Sequence, residues 1–240
     1  MKILAIGNSF SSDATRYLHE ISIAGGVPIK VVNLYIGGCS LATHYKNMNN
    51  DDKAYMLEFN GYETGFYASI REALQSDTWD YVTMQQASHF SPNYDTYTPY
   101  LQALSDYVKL HAPKAKQVFH RTWGYEMGSH RLCEELGYDS HGAMFGDIKT
   151  ASDRAIKEVG IAAVIPSGEL IEKMVSAGIV PIYRDTFHLS YGLGRYAAGA
   201  LWYRFFTGNS ITDNDFCKFD EEIDAGALSD VKQLVDSLDF

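Results

Sequence analysis

Short apolar runs alternate with helically spaced apolar positions along the chain. The runs at residues 2–6, 29–35, 81–85, 117–120 and 162–165 have the length and composition of buried strands. Between the first two, Ala14, Tyr17, Leu18, Ile21 and Ala24 fall on one helical face, and Gly25-Gly26 ends the helix. Further helices are predicted over 66–74, 99–111, 143–159, 167–177, 193–206 and 225–238. Strands that alternate with helices in this way build a parallel sheet covered on both faces. Two stretches, 42–61 and 122–142, fit no regular element, and long loops of this kind tend to carry function. They are expected near the carboxyl ends of strands, as walls of a pocket.

With 240 residues, 46% of them hydrophobic, the chain can bury one large core, so residues 1–240 are expected to form a single domain. The net charge of −10 is unevenly spread: positions 209–240 carry nine acidic side chains against Lys218 and Lys232, or −7 of the −10. The nearly balanced body offers no footprint for nucleic acid and little attraction to an anionic membrane. Cys39, Cys133 and Cys217, an odd and widely spaced set, suit neither a disulfide framework nor a zinc knuckle and are expected to be free thiols. Met1-Lys2 leads directly into the first strand, and no later stretch is apolar enough to span a bilayer. A cytoplasmic location is expected if Met1 is the native start; a chain trimmed of a leader would look the same.

The chemistry gathers in two short clusters, Gly7-Asn8-Ser9-Phe10-Ser11 and Asp185-Thr186-Phe187-His188. Ser9 stands where a strand ends and a helix begins, the place where open α/β sheets hold ligands. A serine hydroxyl needs a base to take its proton, and that base needs a partner to hold its tautomer. His188 and Asp185 can fill these roles, since a three-residue separation lets a carboxylate fold back onto the imidazole within one turn. Ser9, Ser11 or Ser12 could also merely cap the helix. Taken together, the two clusters resemble the SGNH hydrolases, or GDSL esterase/lipase family. The resemblance implies a three-layer α/β/α flavodoxin-like fold with a central five-stranded parallel sheet, and a Ser9-His188-Asp185 triad.

The family block usually reads Gly-Asp-Ser-Leu; here Asn8 and Phe10 replace the acid and the leucine. A second block, Asn33 to Ser40, resembles the family's glycine block and implies that Gly38 N–H joins Ser9 N–H in an oxyanion hole. An ordinary turn needing glycine for positive φ is the alternative. The usual third block, Gly-x-Asn-Asp, is absent, and Gln85-Gln86-Ala87-Ser88-His89 stands in its place. Gln85 is assigned the asparagine's hydrogen bond, with Gln86 as the fallback.

Seven further histidines match no compact zinc signature, so neither a metal nor any other cofactor is expected. His89, Gln86 and Trp123 are candidate substrate contacts. Tyr45, Tyr55, Phe59, Phe90, Tyr94, Trp123 and Tyr125 lie in or near the suspected loops, and aromatic faces suit sugars as well as acyl chains. The expectation is therefore a serine esterase acting on a small, acetyl-like ester, on a carbohydrate for instance. An acyltransferase with the same triad, or a binding protein that kept the fold without the chemistry, are the alternatives.

Overall fold

A computed structural model describes residues 1–239. Five strands are parallel: β1 (Lys2–Ile6), β2 (Lys30–Tyr35), β5 (Tyr81–Met84), β6 (Lys116–Arg121) and β7 (Ala163–Pro166). They are ordered β2-β1-β5-β6-β7, the flavodoxin-like arrangement. Alternation along β1 divides its side chains between two cores. Ile3 and Ala5 pack with the helices α1 (Ser9–Thr15), α2 (Leu18–Ala24), α7 (Ser167–Ser176), α8 (Leu193–Thr207) and α9 (Ala225–Asp236). Leu4 and Ile6 pack on the other face with α3 (Leu41–Asn50), α4 (Ile70–Gln75) and α5 (Tyr100–His111). Helix α6 (His141–Val159) contributes to both, giving Met144 and Ile148 to the first core and Ala151 and Ala155 to the second.

The expected count of five strands is corrected to seven. A hairpin of β3 (Tyr55–Phe59) and β4 (Tyr62–Ala68) adds antiparallel to the edge of β2. Its turn is Asn60-Gly61, with φ of 51° and 86°, the two-residue type that favours Asn-Gly. Hydrophobic alternation did not reveal it because β4 is an edge strand exposed at every position before Ala68.

Residues 42–61 are thus mostly helix and hairpin, contrary to the loop expected there. Ser40 caps α3 by accepting the Thr43 N–H at 3.2 Å. The helix expected over 66–74 starts only at Ile70, because β4 runs to Ala68 and Ser69 with Glu72 forms a capping box. The first helix is two, interrupted at Arg16 and Tyr17. Residues 122–140 remain largely irregular, apart from one π-helical turn over Arg131–Glu135.

Candidate active site

Between β1 and α1 lie only Gly7 and Asn8. A Cβ on Gly7 would stand 2.3 Å from Ser11 Oγ and 3.1 Å from Gln85 Cδ, so the close approach admits glycine alone. Asn8 caps α1, its Oδ1 accepting the Phe10 N–H at 3.0 Å while Ser11 Oγ accepts the Asn8 N–H at 3.1 Å. Ser9 is therefore the first residue of the helix, beside the point where β1 and β5 diverge to helices on opposite faces.

The loop after α7 brings the second cluster to it across 179 residues of chain: His188 Nε2 lies 2.8 Å from Ser9 Oγ. His188 Nδ1 lies 2.7 Å from Asp185 Oδ2, and Asp185 Oδ1 accepts the His188 N–H at 2.9 Å. A carboxylate only accepts, so Nδ1 carries the proton and Nε2 is free to accept the Ser9 hydroxyl. Partial burial pushes the Asp185 carboxyl up, but the hydrogen bonds from the His188 side chain and N–H outweigh it and hold the group below its usual range. Within this turn Thr186 has a φ of 77°, a strained conformation for a β-branched residue. Its carbonyl accepts the Glu126 N–H at 2.7 Å, which ties the turn to the 122–142 segment.

A buried carboxylate that sequence reasoning missed joins the two clusters. Asp13, on α1, accepts from Arg184 Nη1 at 2.9 Å, from Arg195 Nε at 2.8 Å and from the Leu189 N–H at 3.0 Å. Its signal was present as an acid beside Ala14 and Tyr17 on the apolar side of a predicted helix, with arginines flanking Asp185 and His188.

The triad opens into a cleft of about 220 Å³ whose lining includes Ser9, Gly38, Ser88, His89, Arg131 and Phe187. Gly38 has a φ of +63° and open space where a Cβ would stand, so the conformation, rather than room, calls for glycine. Among the described residues neither the Ser9 nor the Gly38 N–H has a protein acceptor. His89 is half-buried on the cleft wall; burial first, and then the charge of Arg131, push its pKa down.

Three expected site residues lie elsewhere. Gln85 is 1% exposed and does not line the cleft. Its Nε2 donates to Asn8 Oδ1 at 2.7 Å, and its Oε1 accepts from His120 Nδ1 at 2.8 Å. Burial lowers the His120 pKa to about 3, so the ring is neutral and its Nε2 accepts from Ser167 Oγ at 3.0 Å. Since Asn8 Nδ2 donates to Cys39 O at 3.1 Å, one directional string runs from Ser167 through His120, Gln85 and Asn8 to the carbonyl of Cys39, the residue after Gly38. Gln86 is also buried; its Oε1 accepts the Leu41 N–H at 2.9 Å and its Nε2 donates to Thr96 O at 2.8 Å, bracing the start of α3.

Trp123 is fully buried, stacked on Phe10 at 4.2 Å and donating to Phe187 O at 2.9 Å, so it backs the site instead of lining it. Tyr55 and Tyr125 are buried as well, and the aromatic side chains that do line the cleft are Tyr35 and Phe187. Of the two long segments, 122–142 supplies Arg131 to the cleft and 42–61 supplies nothing. Among the described residues no group of three or more His, Cys, Asp and Glu could hold a metal ion, and no helix is long and apolar enough to cross a membrane.

Residues 2–229 match the family described as a domain of unknown function, DUF4886. The crystal structure of a DUF4886 family protein from Bacteroides uniformis ATCC 8492 is 33% identical, with a TM-score of 0.91 over 98% of this chain and 93% of that one. A provisionally assigned SGNH hydrolase from Slackia heliotrinireducens is 24% identical, with a TM-score of 0.63 over 86% of this chain and 98% of that one. A provisionally assigned GDSL-like lipase from Parabacteroides merdae ATCC 43184 is 15% identical, with a TM-score of 0.53 over 84% and 93%. These last two are likenesses of fold. No curated protein matches the chain.

Proposed function

We propose that this chain, which belongs to the DUF4886 family, is a serine hydrolase of small carboxylic esters. The observation that carries the reading is the unbroken line from Asp185 through His188 to Ser9, with contacts of 2.7 and 2.8 Å. As Ser9 Oγ attacks the ester carbonyl carbon, His188 Nε2 takes its proton, and Asp185 holds the resulting imidazolium in place. The carbonyl oxygen gains negative charge, which the N–H groups of Ser9 and Gly38 stabilise. The C–O bond to the alcohol then breaks, His188 gives the leaving oxygen its proton, and an acyl group remains on Ser9. Water, deprotonated by His188 Nε2, attacks that acyl carbon; the acyl–Oγ bond then breaks, His188 returns the proton to Ser9 Oγ, and the carboxylic acid is released.

Gln85 acts here through Asn8, which it holds against both halves of the oxyanion site. The cleft's modest volume favours a short acyl group such as acetyl, and the rings of Tyr35 and Phe187 suit a carbohydrate alcohol.

The test is turnover of short aryl esters by the purified protein, together with fluorophosphonate labelling. Label is expected on the peptide containing Ser9, and Ser9→Ala should lose activity by several orders of magnitude. An active Ser9→Ala enzyme would sink the mechanism.

A further inference from the structure

Among the described residues the cleft in front of Ser9 carries one permanent charge: Arg131 lines it and no lining residue is Asp or Glu, while the Asp185 carboxylate is committed to His188. Burial first, and then that same positive charge, push the pKa of His89 on the cleft wall down; Tyr125 and Glu135 are further titratable groups that face Arg131. A lone cation over the site is notable in a chain of net charge −10.

Arg131 is also held in place while its donors stay free. The guanidinium carbon lies 4.1 Å from the centroid of the Phe187 ring and 5.5 Å from that of Tyr125. The Phe187 ring lies 4.1 Å from the His188 ring, so the guanidinium stands one ring away from the base. Among the described residues the Arg131 side chain makes no hydrogen bond, and its one ion pair is a 3.8 Å contact from Nε to the exposed Glu135. Among the described residues the two Nη groups, a fork that matches a carboxylate, thus have no partner, on a side chain that lines a cleft with no Asp or Glu in its wall.

We propose that the ester cleaved at Ser9 bears a carboxylate and that Arg131 receives it. This rests on the esterase reading of Ser9 and His188. The carboxylate can belong to the acyl group, as in a hemisuccinate, or to the alcohol, as in an acylated hydroxy acid or acidic sugar. Arg131 then sets specificity and takes no part in the bond changes.

Three aryl esters separate these cases: para-acetoxybenzamide, which is neutral; para-acetoxybenzoate, charged on the alcohol side; and the hemisuccinate of para-hydroxybenzamide, charged on the acyl side. Each kcat/KM is normalised to the ester's hydroxide-catalysed rate. One charged ester should exceed the neutral one by about tenfold or more, the ratio expected of a charge-assisted hydrogen bond. That ratio should fall to about one in Arg131→Gln, stay partly above it in Arg131→Lys, and shrink in the unaltered protein as salt is raised. A ratio of one or below for both charged esters, or one indifferent to salt and to Arg131→Gln, overturns the proposal and leaves the esterase standing. Failure to cleave any of the three removes the esterase reading and the proposal together.

Discussion

The Leu189 N–H donates to Asp13 Oδ2 at 3.0 Å, so the residue after the base is fastened to the helix that begins with the nucleophile. The same carboxylate takes Arg184 and Arg195, so one buried acid sets where the His188 turn meets Ser9. Asp13→Asn would keep one acceptor and turn an amide donor towards groups that are themselves donors. Breaking a buried pair costs up to 3–5 kcal/mol, and partial exposure of both arginines brings the expected loss to about 3 kcal/mol. Denaturant unfolding should report that loss, with a parallel fall in fluorophosphonate labelling of Ser9. A change below about 0.5 kcal/mol would mean that Asp13 does not hold the loop.

Asn8 stands where the resembling family has an aspartate, and Asn8→Asp tests why. An acid at a helix N-cap gains about 0.3–1 kcal/mol from the dipole. Here it would lose the donation to Cys39 O, leaving a buried carbonyl unpaired at a cost of about 1–3 kcal/mol. The second effect is larger, so Asn8→Asp is expected to be less stable and slower in kcat. Equal or greater stability on urea unfolding would contradict the string of hydrogen bonds.

Gln85→Ala distinguishes a direct oxyanion donor from a positioning residue. A direct donor would cost about 10²–10³ in kcat. With its amide committed to Asn8 and His120, Gln85 should instead show a smaller loss of kcat and a loss of stability of about 1–3 kcal/mol from partners left unsatisfied. Steady-state kinetics and denaturant unfolding of the same preparation decide it; a full oxyanion-sized defect at unchanged stability would restore the direct role.

Burial lowers the pKa values of His44 and His120 to about 3 in the folded chain. Below the unfolded value of about 6.5 the unfolded chain binds protons that the folded chain refuses, so stability falls as pH drops. Each histidine contributes a slope of about 1.4 kcal/mol per pH unit until the folded values near 3 are reached. Glu58, raised by burial, works in the opposite sense, its contribution lost as pH rises through its folded value. NMR titration from pH 8 to 5 should find both rings unprotonated throughout, and urea unfolding should weaken over that range. A midpoint near 6 for either ring would refute the assignment.

Relations confined to neighbouring residues could be read without coordinates. The Asp185 to His188 turn closes within three residues, and the parallel strands announce themselves as apolar runs, with Ile3 and Ala5 facing one core and Leu4 and Ile6 the other. The β3–β4 hairpin escaped because its outer strand buries almost nothing, although Asn60-Gly61 spelled out its turn. Side-chain direction at the end of β5 was a different matter. Gln85 turns to Asn8 and His120, 77 and 35 residues away, because a buried amide must satisfy both its ends and those partners were at hand. Trp123, an aromatic in an irregular segment, could have faced solvent or core; packing against Phe10 sent it inward. Hydrophobic periodicity records which face of an element is buried, whereas the pairing of polar groups inside depends on which distant segments the fold has brought there.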